Sequence, residues 1–480
     1  MFDSSSSPVL VWFRRDLRLA DNAALNAAVE TGAPVIALFI REPEPSSVMP
    51  MGAAQAWWLH HSLTALREDL RGRGADLILM SGAAETVIRE VARLTGASHV
   101  YLNRCYERDA VDREIGRSPE KVGVLVHAFH GQLLHEPTAV RTGAGTAFRV
   151  FTPFWKAMQA LGEPAEPLEA PRTINGASSQ PESERLEDWD LLPVKPDWAA
   201  SFGSIWTPGE AGAQARLESF IDSGLSDYKS GRDFPAKDVT SRLSPHLTHG
   251  EITPSQAWHA TNGRRDLNPA QIMHFRRELA WRDFSYSLLI EFPDLAVRNW
   301  NASFDKFEWS FEKDLFHAWT KGLTGYPIVD AGMRQLWQEG FMHNRVRMIT
   351  ASFLIKDLMI DWRKGQDWFG DTLVDADPAN NAAGWQWVAG SGADASPFFR
   401  IFNPVLQGEK FDPDGDYVKQ YVPELARLER RYIHRPFEAP DIVLEQAGVV
   451  LGRTYPKPIV NHSEARDRAL AAYRNMGRPG

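Results

Sequence analysis

The first 130 residues alternate short apolar runs with amphipathic stretches, and no other feature constrains the fold of this chain as strongly. Five runs have the length and composition of buried strands: PVLVWF, PVIALFI, ADLILM, SHVYL and VGVLVHAF. The clearest helix among them is AAQAWWLHHSLTALREDLRGRG. Strands that alternate with helices build a parallel sheet with helices on both faces. We therefore predict a Rossmann-like α/β domain at residues 1–135.

The rest of the sequence changes character twice. Residues 162–210 are rich in Pro, Glu and Ser and lack sustained periodicity, which is typical of a long surface linker. We place a connecting linker at residues 136–210. From about residue 211 apolar residues recur at helical spacing nearly to the end, as in NPAQIMHFRRELAWRDFSYSLLIEF. The sequence predicts an all-α domain at residues 211–480.

Bulk properties narrow the classes of function. The single Cys, Cys105, excludes a disulfide framework and any multi-Cys zinc site, so we expect a reducing compartment and no metal. No run approaches about 18 apolar residues, and MFDSSSSP lacks a basic flank, so we expect neither membrane span nor secretory signal. The net charge of -9 argues against indiscriminate coating of nucleic acid but permits a local basic patch. These properties predict a cytoplasmic enzyme or binding protein.

Familiar catalytic motifs are absent from the sequence. It contains no GxSxG elbow, no Walker A loop and no HExxH. The first predicted strand runs into RRDLRLADN rather than GxGxxG, so a dinucleotide site would have to lie elsewhere.

Polar side chains on one face of an apolar helix form the first candidate site. In HFRRELAWRDFSYSLL a helix aligns Phe275, Glu278, Trp281, Arg282 and Ser285. A carboxylate, a guanidinium and an indole on one stripe suit a polar ligand. The residues alone favour the alternative, an internal Glu278–Arg282 ion pair of little energetic value.

A second candidate set lies in MHNRVRMITASFLI. There Asn344, Arg347 and Met348 share one helical face, and polar groups on so apolar a helix would need buried partners. Candidates for those partners are Asp375 and Asp377, which come just before a helix that Pro378 begins.

Within the helix that starts at Pro378, polar and aromatic residues repeat at helical spacing. Asp377, Asn381 and Trp385 stack at i, i+4 and i+8, whereas Trp387 projects from a roughly opposite side. The two Trp of WQW are therefore predicted to serve different environments.

Hydroxyl side chains cluster in TSRLSPHLTHG at a helix start marked by Pro245. Thr240, Ser241 and Ser244, together with free N–H groups, could bind an anion such as phosphate. Simple capping of the helix is the alternative, and the residues leave both open.

Tryptophan is unusually frequent, with 17 residues in 480. Trp309 in FEWSF, Trp362 in IDWRKG and Trp385 in GWQW each have polar or charged neighbours. A series of oxidisable indoles suits stepwise electron hopping from surface to interior, although Trp is more often structural.

Together these motifs resemble the photolyase/cryptochrome flavoproteins, most closely the photolyases that repair cyclobutane pyrimidine dimers in DNA. The resemblance runs across nearly the whole chain through LVWFRRDLRLADN, GRDFPAKDVTSRLSPHL, ELAWRDF, TGYPIVDAGMRQL, MHNRVRM, DADPANNAAGWQW and FFRIFNP. It implies an α/β antenna domain and a helical FAD-binding domain. The implied activity is light-dependent repair of UV-damaged DNA, by electron transfer from reduced FAD to a flipped-out dimer. We expect a monomer.

The resemblance also implies residues that hold FAD. They are Tyr228, Thr240, Ser241, Arg242, Leu243, Ser244, Phe275, Glu278, Arg282, Arg347, Asp375, Asp377 and Asn381. The hydroxyls would serve the pyrophosphate, Arg347 and Asp375 would pair beside the isoalloxazine, and Asn381 would face flavin N5. Phe275 stands where close relatives often carry Trp.

Further residues are implied for substrate and electron transfer. Glu278 and Asn344 match residues that hydrogen-bond the dimer, and Glu278 could donate a proton to the dimer radical anion. The remaining matches are Trp281, Trp387 and Met348 around the dimer, Arg232, Arg345 and Arg400 near the DNA backbone, and Trp385, Trp362 and Trp309 as a photoreduction chain with Trp385 nearest the flavin.

Three questions stay open within the resemblance. We expect a methenyltetrahydrofolate antenna near WWLHHSL, with a deazaflavin or no antenna as alternatives. A cryptochrome photoreceptor is the alternative function; the plant type tends to carry Asp opposite flavin N5 and to lose the substrate-facing Trp, whereas this chain has Asn381, Trp281 and Trp387. Repair of (6-4) photoproducts predicts His where Asn344 stands.

Overall fold

The chain divides into two compact units. The structure, a computed structural model, describes residues 7–43, 49–108, 123–395 and 399–476. The first unit runs to Ser226 and resumes at Ser241–Glu291, and the second consists of Asp227–Thr240 and the chain from Phe292 onward. The domain boundaries predicted at residues 135 and 210 stay a prediction.

A parallel sheet organises the first unit. Its strands are β1 Val9–Phe13, β2 Val35–Arg41, β3 Leu77–Ser81, β4 His99–Asn103 and β5 Leu125–Phe129. They lie in the order β3-β2-β1-β4-β5, and every neighbouring pair is parallel. Each strand coincides with one of the five apolar runs to within one residue at its end, so the predicted sheet is confirmed. The central position of β1 explains why VLVWF is buried throughout.

Helices account for most of the remaining regular structure. In chain order they are α1 Ala23–Glu30, α2 Ala53–Arg71, α3 Ala84–Thr95, α4 Phe151–Ala160, α5 Phe202–Ile205, α6 Glu210–Ser219, α7 Tyr228–Gly231, α8 Ser244–His249, α9 Pro254–His259, α10 Pro269–Glu291, α11 Lys313–Thr320, α12 Pro327–Glu339, α13 Asn344–Ser352, α14 Trp362–Thr372, α15 Pro378–Ala389, α16 Pro404–Phe411, α17 Asp416–Tyr421, α18 Asp441–Ala447 and α19 His462–Asn475. The second unit contains α7 and α11 to α19, and the all-α prediction for this part is confirmed.

The sheet has an apolar core on each face because side chains alternate along its strands. Val11 and Phe13 of β1 pack in one cluster with Leu25 of α1 and Leu63 of α2. On the other face, Trp12 packs in a cluster with residues of α3. The helices thus cover both faces, as the alternating sequence predicts.

Two further features complete the fold. The segment at residues 162–210 is largely irregular and is hydrogen-bonded to the sheet, since Glu184 N–H donates to the carbonyl of Leu79 and Ala177 N–H to that of Val35. Within the described ranges, no helix combines the length and apolarity needed to cross a membrane.

Candidate functional site

Helix α10 of the first unit carries the first candidate set. Phe275 and Arg282 are buried, whereas Glu278 and Trp281 are only partly buried. The guanidinium of Arg282 donates to the carbonyl oxygens of Gln132 at 2.7 Å and Leu247 at 3.3 Å. These backbone contacts fix Arg282. The carboxylate of Glu278 and the indole of Trp281 are the accessible groups on this face of the helix.

The indole of Trp281 is held flat by a neighbouring ring. Its centroid lies 3.8 Å from that of Phe151 in α4, and the two planes differ by 7°. Stacking of this kind fixes the orientation of one indole face and leaves the other available. Phe275 packs against Phe220, with 4.8 Å between the ring centroids.

The run from Thr240 to Ser244 leads into α8. Leu243 is the residue that precedes the helix, and it provides no side-chain cap hydrogen bond. Ser241 Oγ accepts from the N–H of Leu243 at 3.4 Å, and Arg242 has a left-handed φ of 50° with its guanidinium 4.7 Å from the ring centroid of Trp206. Partly buried hydroxyls beside a guanidinium suit a pyrophosphate.

In the second unit, Arg347 of α13 and Asp375 form the predicted ion pair. Arg347 Nη2 lies 2.8 Å from Asp375 Oδ2, and the Asp375 side chain is only 2% exposed. A second bond, from Arg347 Nε to the carbonyl of Met342 at 2.7 Å, fixes the plane of the guanidinium. The expectation that Arg347 needs a buried partner is confirmed. The same expectation is wrong for Asn344, because it lies exposed at the first residue of α13.

Helix α13 begins with an imidazole cap that the sequence did not reveal. His343 Nδ1 accepts from the backbone N–H of Arg345 at 3.2 Å, and the backbone N–H of His343 donates to Gln335 Oε1 at 3.3 Å. An accepting Nδ1 requires the neutral ring with its proton on Nε2. Burial, the largest cause, lowers the pKa of His343 to about 4, with the carboxylate of Asp233 opposing that shift. The helix that carries Asn344, Arg345 and Arg347 is therefore capped by a ring that must stay uncharged.

Replacing His343 by Asn is expected to remove a pH dependence of stability. The folded pKa of about 4 lies below the ordinary 6.5, so the unfolded chain binds more protons between these values. Stability is then lost as the pH falls, by about 2 kcal/mol between pH 7 and pH 5. Asn can cap the helix without titrating. Urea unfolding at both pH values should show the decline in wild type but less of it in the variant; parallel declines would contradict this role.

Helix α15 presents two different faces. Asp377 caps it by accepting from the N–H of Asn380 at 2.8 Å, and Asn381 Nδ2 donates to the carbonyl of Gln366 at 3.1 Å. A Cβ built on Gly384 would meet no atom within 4 Å, so open space adjoins the helix one turn after Asn380. Gly384 is exposed, so this open space is continuous with solvent.

The two indoles of α15 lie in separate environments, as predicted. Trp385 is buried and its centroid lies 4.9 Å from that of Phe369 in α14. A Cβ on Gly365 would approach Trp385 Cη2 to 2.1 Å, so the absence of a side chain there admits the indole. Trp387 is only partly buried, and its N–H donates to the carbonyl of Asp394 at 3.1 Å.

The three indoles of the predicted hopping chain belong to connected parts of the second unit. Trp362 is the first residue of α14, one turn before the glycine against which Trp385 packs, and its side chain is wholly buried. Trp309 is partly exposed, and the next residue, Ser310, donates its N–H to the carbonyl of Met359 at 2.8 Å. Exposure therefore increases from Trp362 to Trp309, in the predicted direction.

The remaining candidates lie at or near the surface of the second unit. The guanidinium of Arg232 lies 5.3 Å from the ring centroid of buried Tyr228, and Arg345 pairs with Asp233 at 2.9 Å. Arg400 is exposed and Met348 is partly buried. Arginines at such positions can reach a polyanion.

Helix α2 contains the WWLHHSL motif that was expected near an antenna. Trp58 is fully buried, and its N–H donates to Glu251 Oε1 at 2.9 Å. His60 and His61 are partly buried, and the ring of His61 lies 4.5 Å from that of Trp57. A chromophore on this helix would therefore contact the histidine side rather than Trp58.

Comparisons with known proteins find similar sequences for the N-terminal and the C-terminal part of the chain. Residues 9–172 match the family described as DNA photolyase, and residues 275–475 match the FAD binding domain of DNA photolyase. The deoxyribodipyrimidine photo-lyase of Agrobacterium fabrum is 59% identical over 98% of both chains. Cryptochrome-1 of Arabidopsis thaliana is 36% identical over 97% of this chain and 70% of its own. The crystal structure of a bacterial class III photolyase from Agrobacterium tumefaciens has a TM-score of 0.96 at 58% identity and covers 99% of both chains.

Proposed function

Because the chain belongs to the DNA photolyase family, we propose that it repairs cyclobutane pyrimidine dimers in DNA in a light-dependent reaction. The observation that carries this proposal is the identity of 59%, over nearly all of both chains, to a protein named deoxyribodipyrimidine photo-lyase. The cryptochrome reported above is more distant, at 36%. The proposed enzyme is thus a deoxyribodipyrimidine photo-lyase.

The helical part of the chain is an FAD-binding domain. When bound, reduced FAD supplies the electron that light makes available for the dimer. We assign binding of the FAD pyrophosphate to Ser241, Arg242 and Ser244. Their hydroxyls and guanidinium are the hydrogen-bond donors that anionic oxygens require. The ion pair of Arg347 with Asp375 and the carboxamide of Asn381 would lie along the edge of the ring system.

The substrate residues act by binding and orienting the dimer. Photolyases are among the enzymes that extrude their target base, and damaged pairs cost least to flip. Trp281, fixed by Phe151, and Trp387, fixed by Asp394, would hold the extruded dimer with Met348 beside it. Glu278 and Asn344 would hydrogen-bond its carbonyl edges, and Glu278 would donate a proton to the dimer radical anion.

Electron supply and light capture complete the proposal. Trp309, Trp362 and Trp385 would pass electrons inward from solvent when the flavin is oxidised. A methenyltetrahydrofolate antenna on the histidine side of α2 would widen light absorption. We further propose a cytoplasmic monomer.

Two alternatives differ in identifiable residues. A plant-type cryptochrome would carry Asp at position 381 and lose Trp281 or Trp387, and (6-4) repair would require His at position 344. The chain has Asn381, Asn344 and both indoles, which supports dimer repair over either alternative.

The decisive experiment compares Glu278→Gln with wild type on dimer-containing oligothymidine. Chemically reduced holoenzyme is illuminated, and recovery of pyrimidine absorbance is followed with a dark sample as blank. We expect repair in wild type and a decrease of about 100-fold in the variant, the range of a lost general acid. Glu291→Gln on the same helix is the matched control: Glu291 is exposed and pairs with Arg141 at 3.0 Å, so repair should be unchanged.

The outcomes separate the assignments. If reduced wild type leaves pyrimidine absorbance unchanged under light, the repair function is wrong. If Glu278→Gln repairs as fast as Glu291→Gln, repair stands and the role of Glu278 is wrong.

A further inference from the structure

The indole N–H of Trp362 donates to a side-chain amide. Trp362 Nε1 lies 2.9 Å from Asn299 Oδ1, and Asn299 Nδ2 donates in turn to Asp305 Oδ1 at 2.7 Å. Trp362 is wholly buried, Asn299 is 5% exposed, and Asp305 lies at the surface. Because a carboxylate only accepts, Asp305 takes the NH₂ group of Asn299 and thereby turns its carbonyl oxygen toward the indole.

The segment that carries Asn299 is fixed on both sides by buried amides. Gln386, which separates the two indoles of α15, donates to the carbonyls of Leu295 and Arg298 and accepts from the N–H of Trp300, all within 2.8 Å. Gln366 of α14 donates to the carbonyl of Ala296 at 2.9 Å. Gln386 uses both its NH₂ group and its carbonyl oxygen, and a buried amide bonded in this way holds the neighbouring backbone in one position. Asn299 is therefore placed against Trp362 by both helices of the predicted electron path.

Trp362 differs in this respect from the other two indoles of the predicted chain. Among the hydrogen bonds of the described residues, Trp362 is the one indole of these three whose N–H donates to a side chain. The acceptor is the uncharged amide of Asn299. Trp309 is partly exposed and can exchange its proton with solvent. The middle indole thus has a fixed partner and no exposure to solvent.

We propose that Asn299 keeps the N–H proton on Trp362 while that indole is oxidised, a role that rests on the photoreduction chain of the proposed function. Removing an electron from an indole makes its N–H strongly acidic, and a nearby base would take the proton. An amide oxygen is too weak a base to do so. One electron leaves Trp362 for the oxidised Trp385, the Nε1–H bond stays intact, and one electron from Trp309 restores neutral Trp362. The positive charge moves outward and no proton moves.

Asp305 serves this arrangement as a positioning residue. Its carboxylate accepts from the NH₂ group of Asn299 and so orients the amide. A carboxylate in direct contact with the indole would instead accept the proton. Loss of the proton would leave a neutral Trp362 radical. An external thiol could not reach this buried indole, so it would stay oxidised.

The test exchanges the two side chains. The double variant Asn299→Asp with Asp305→Asn keeps composition, net charge and the bond between positions 299 and 305, and places a carboxylate on the indole. Transient absorption after a light pulse on holoenzyme with oxidised FAD should show the cation form of the tryptophan radical in wild type and the neutral form in the exchange variant. Steady photoreduction with excess thiol should fall about tenfold, which corresponds to about 1.4 kcal/mol of barrier.

Wild type supplies a test that needs no variant to fold. If the proton stays on Trp362, electron transfer from Trp309 to Trp362 proceeds at the same rate in H₂O and D₂O; a slower rate in D₂O overturns the proposal. An exchange variant with the spectrum and photoreduction rate of wild type overturns it as well. Asp305→Asn alone is the matched control and should retain the cation spectrum, since the amide still contacts the indole.

Failure here is distinguishable from failure of the proposed function. Chemically reduced exchange variant should repair dimers at the wild-type rate, because position 299 contacts neither substrate nor cofactor in our assignment. Normal repair with wild-type radical spectra would remove the role of Asn299 and leave the function intact. Loss of repair in reduced wild type would remove the function itself.

Discussion

Trp362→Phe is expected to slow photoreduction of oxidised FAD strongly while leaving repair by chemically reduced enzyme unchanged. Phe is much harder to oxidise than Trp, so the electron would have to cross from Trp309 to Trp385 without an intermediate site. We expect the rate of flavin reduction under light and excess thiol to fall about tenfold or more. Repair does not use this path, because the electron that splits the dimer starts from flavin that is already reduced.

The control for Trp362→Phe must account for the buried volume that the substitution removes. Trp12→Phe shortens an equally buried indole in β1 of the other unit and should leave both photoreduction and repair unchanged. Loss of repair together with photoreduction in Trp362→Phe would mean that this indole is structural. Undiminished photoreduction would mean that electrons take another route.

Arg347→Met is expected to destabilise the second unit and to release FAD. The substitution removes the cation from Asp375, whose side chain is 2% exposed. Breaking a buried ion pair from one side costs about 3 kcal/mol, since the remaining charge keeps its desolvation penalty. Urea unfolding should show this loss, and purified variant should contain less flavin than wild type by absorbance.

Two variants isolate the effect of burial in this pair. Arg363→Met removes the cation of the Arg363–Asp361 pair, which has the same 2.8 Å separation but about a third of each side chain exposed. Its cost should be about 1 kcal/mol at most. Arg347→Met combined with Asp375→Leu removes both buried charges and should recover much of the stability but not the flavin. Equal losses in Arg347→Met and Arg363→Met would refute the buried-pair argument.

The strands and helices, though not their arrangement, were predictable from periodicity. Runs such as PVLVWF and SHVYL have the length and composition of strands buried on both faces, and the helical part repeats apolar residues over long stretches. Both patterns come from burial, which acts on every element in the same way. Strand order and the division of residues 227–291 between the two units depend on contacts distant in sequence, and no local pattern records them.

The site was predictable where a polar residue interrupts an apolar helix. Arg347 stood out for that reason, and Asp375 was available as its partner. Asn299 gave no such signal, because it lies in an irregular segment 63 residues from Trp362. Gln386 was visible between two indoles, but a single amide does not reveal which carbonyls it will reach. The position of Gln386 between Trp385 and Trp387 is the signal that could have drawn attention to it.

The lack of a side chain at Gly365 bears on electron transfer between Trp362 and Trp385 in the proposed path. Glycine inside a helix costs about 1 kcal/mol relative to Ala, and α14 carries it where a Cβ would lie 2.1 Å from the ring of Trp385. Electron tunnelling weakens steeply with each added ångström of separation. Any larger residue at position 365 would displace the indole, so in the proposed electron path glycine here would keep Trp362 and Trp385 close enough for fast transfer.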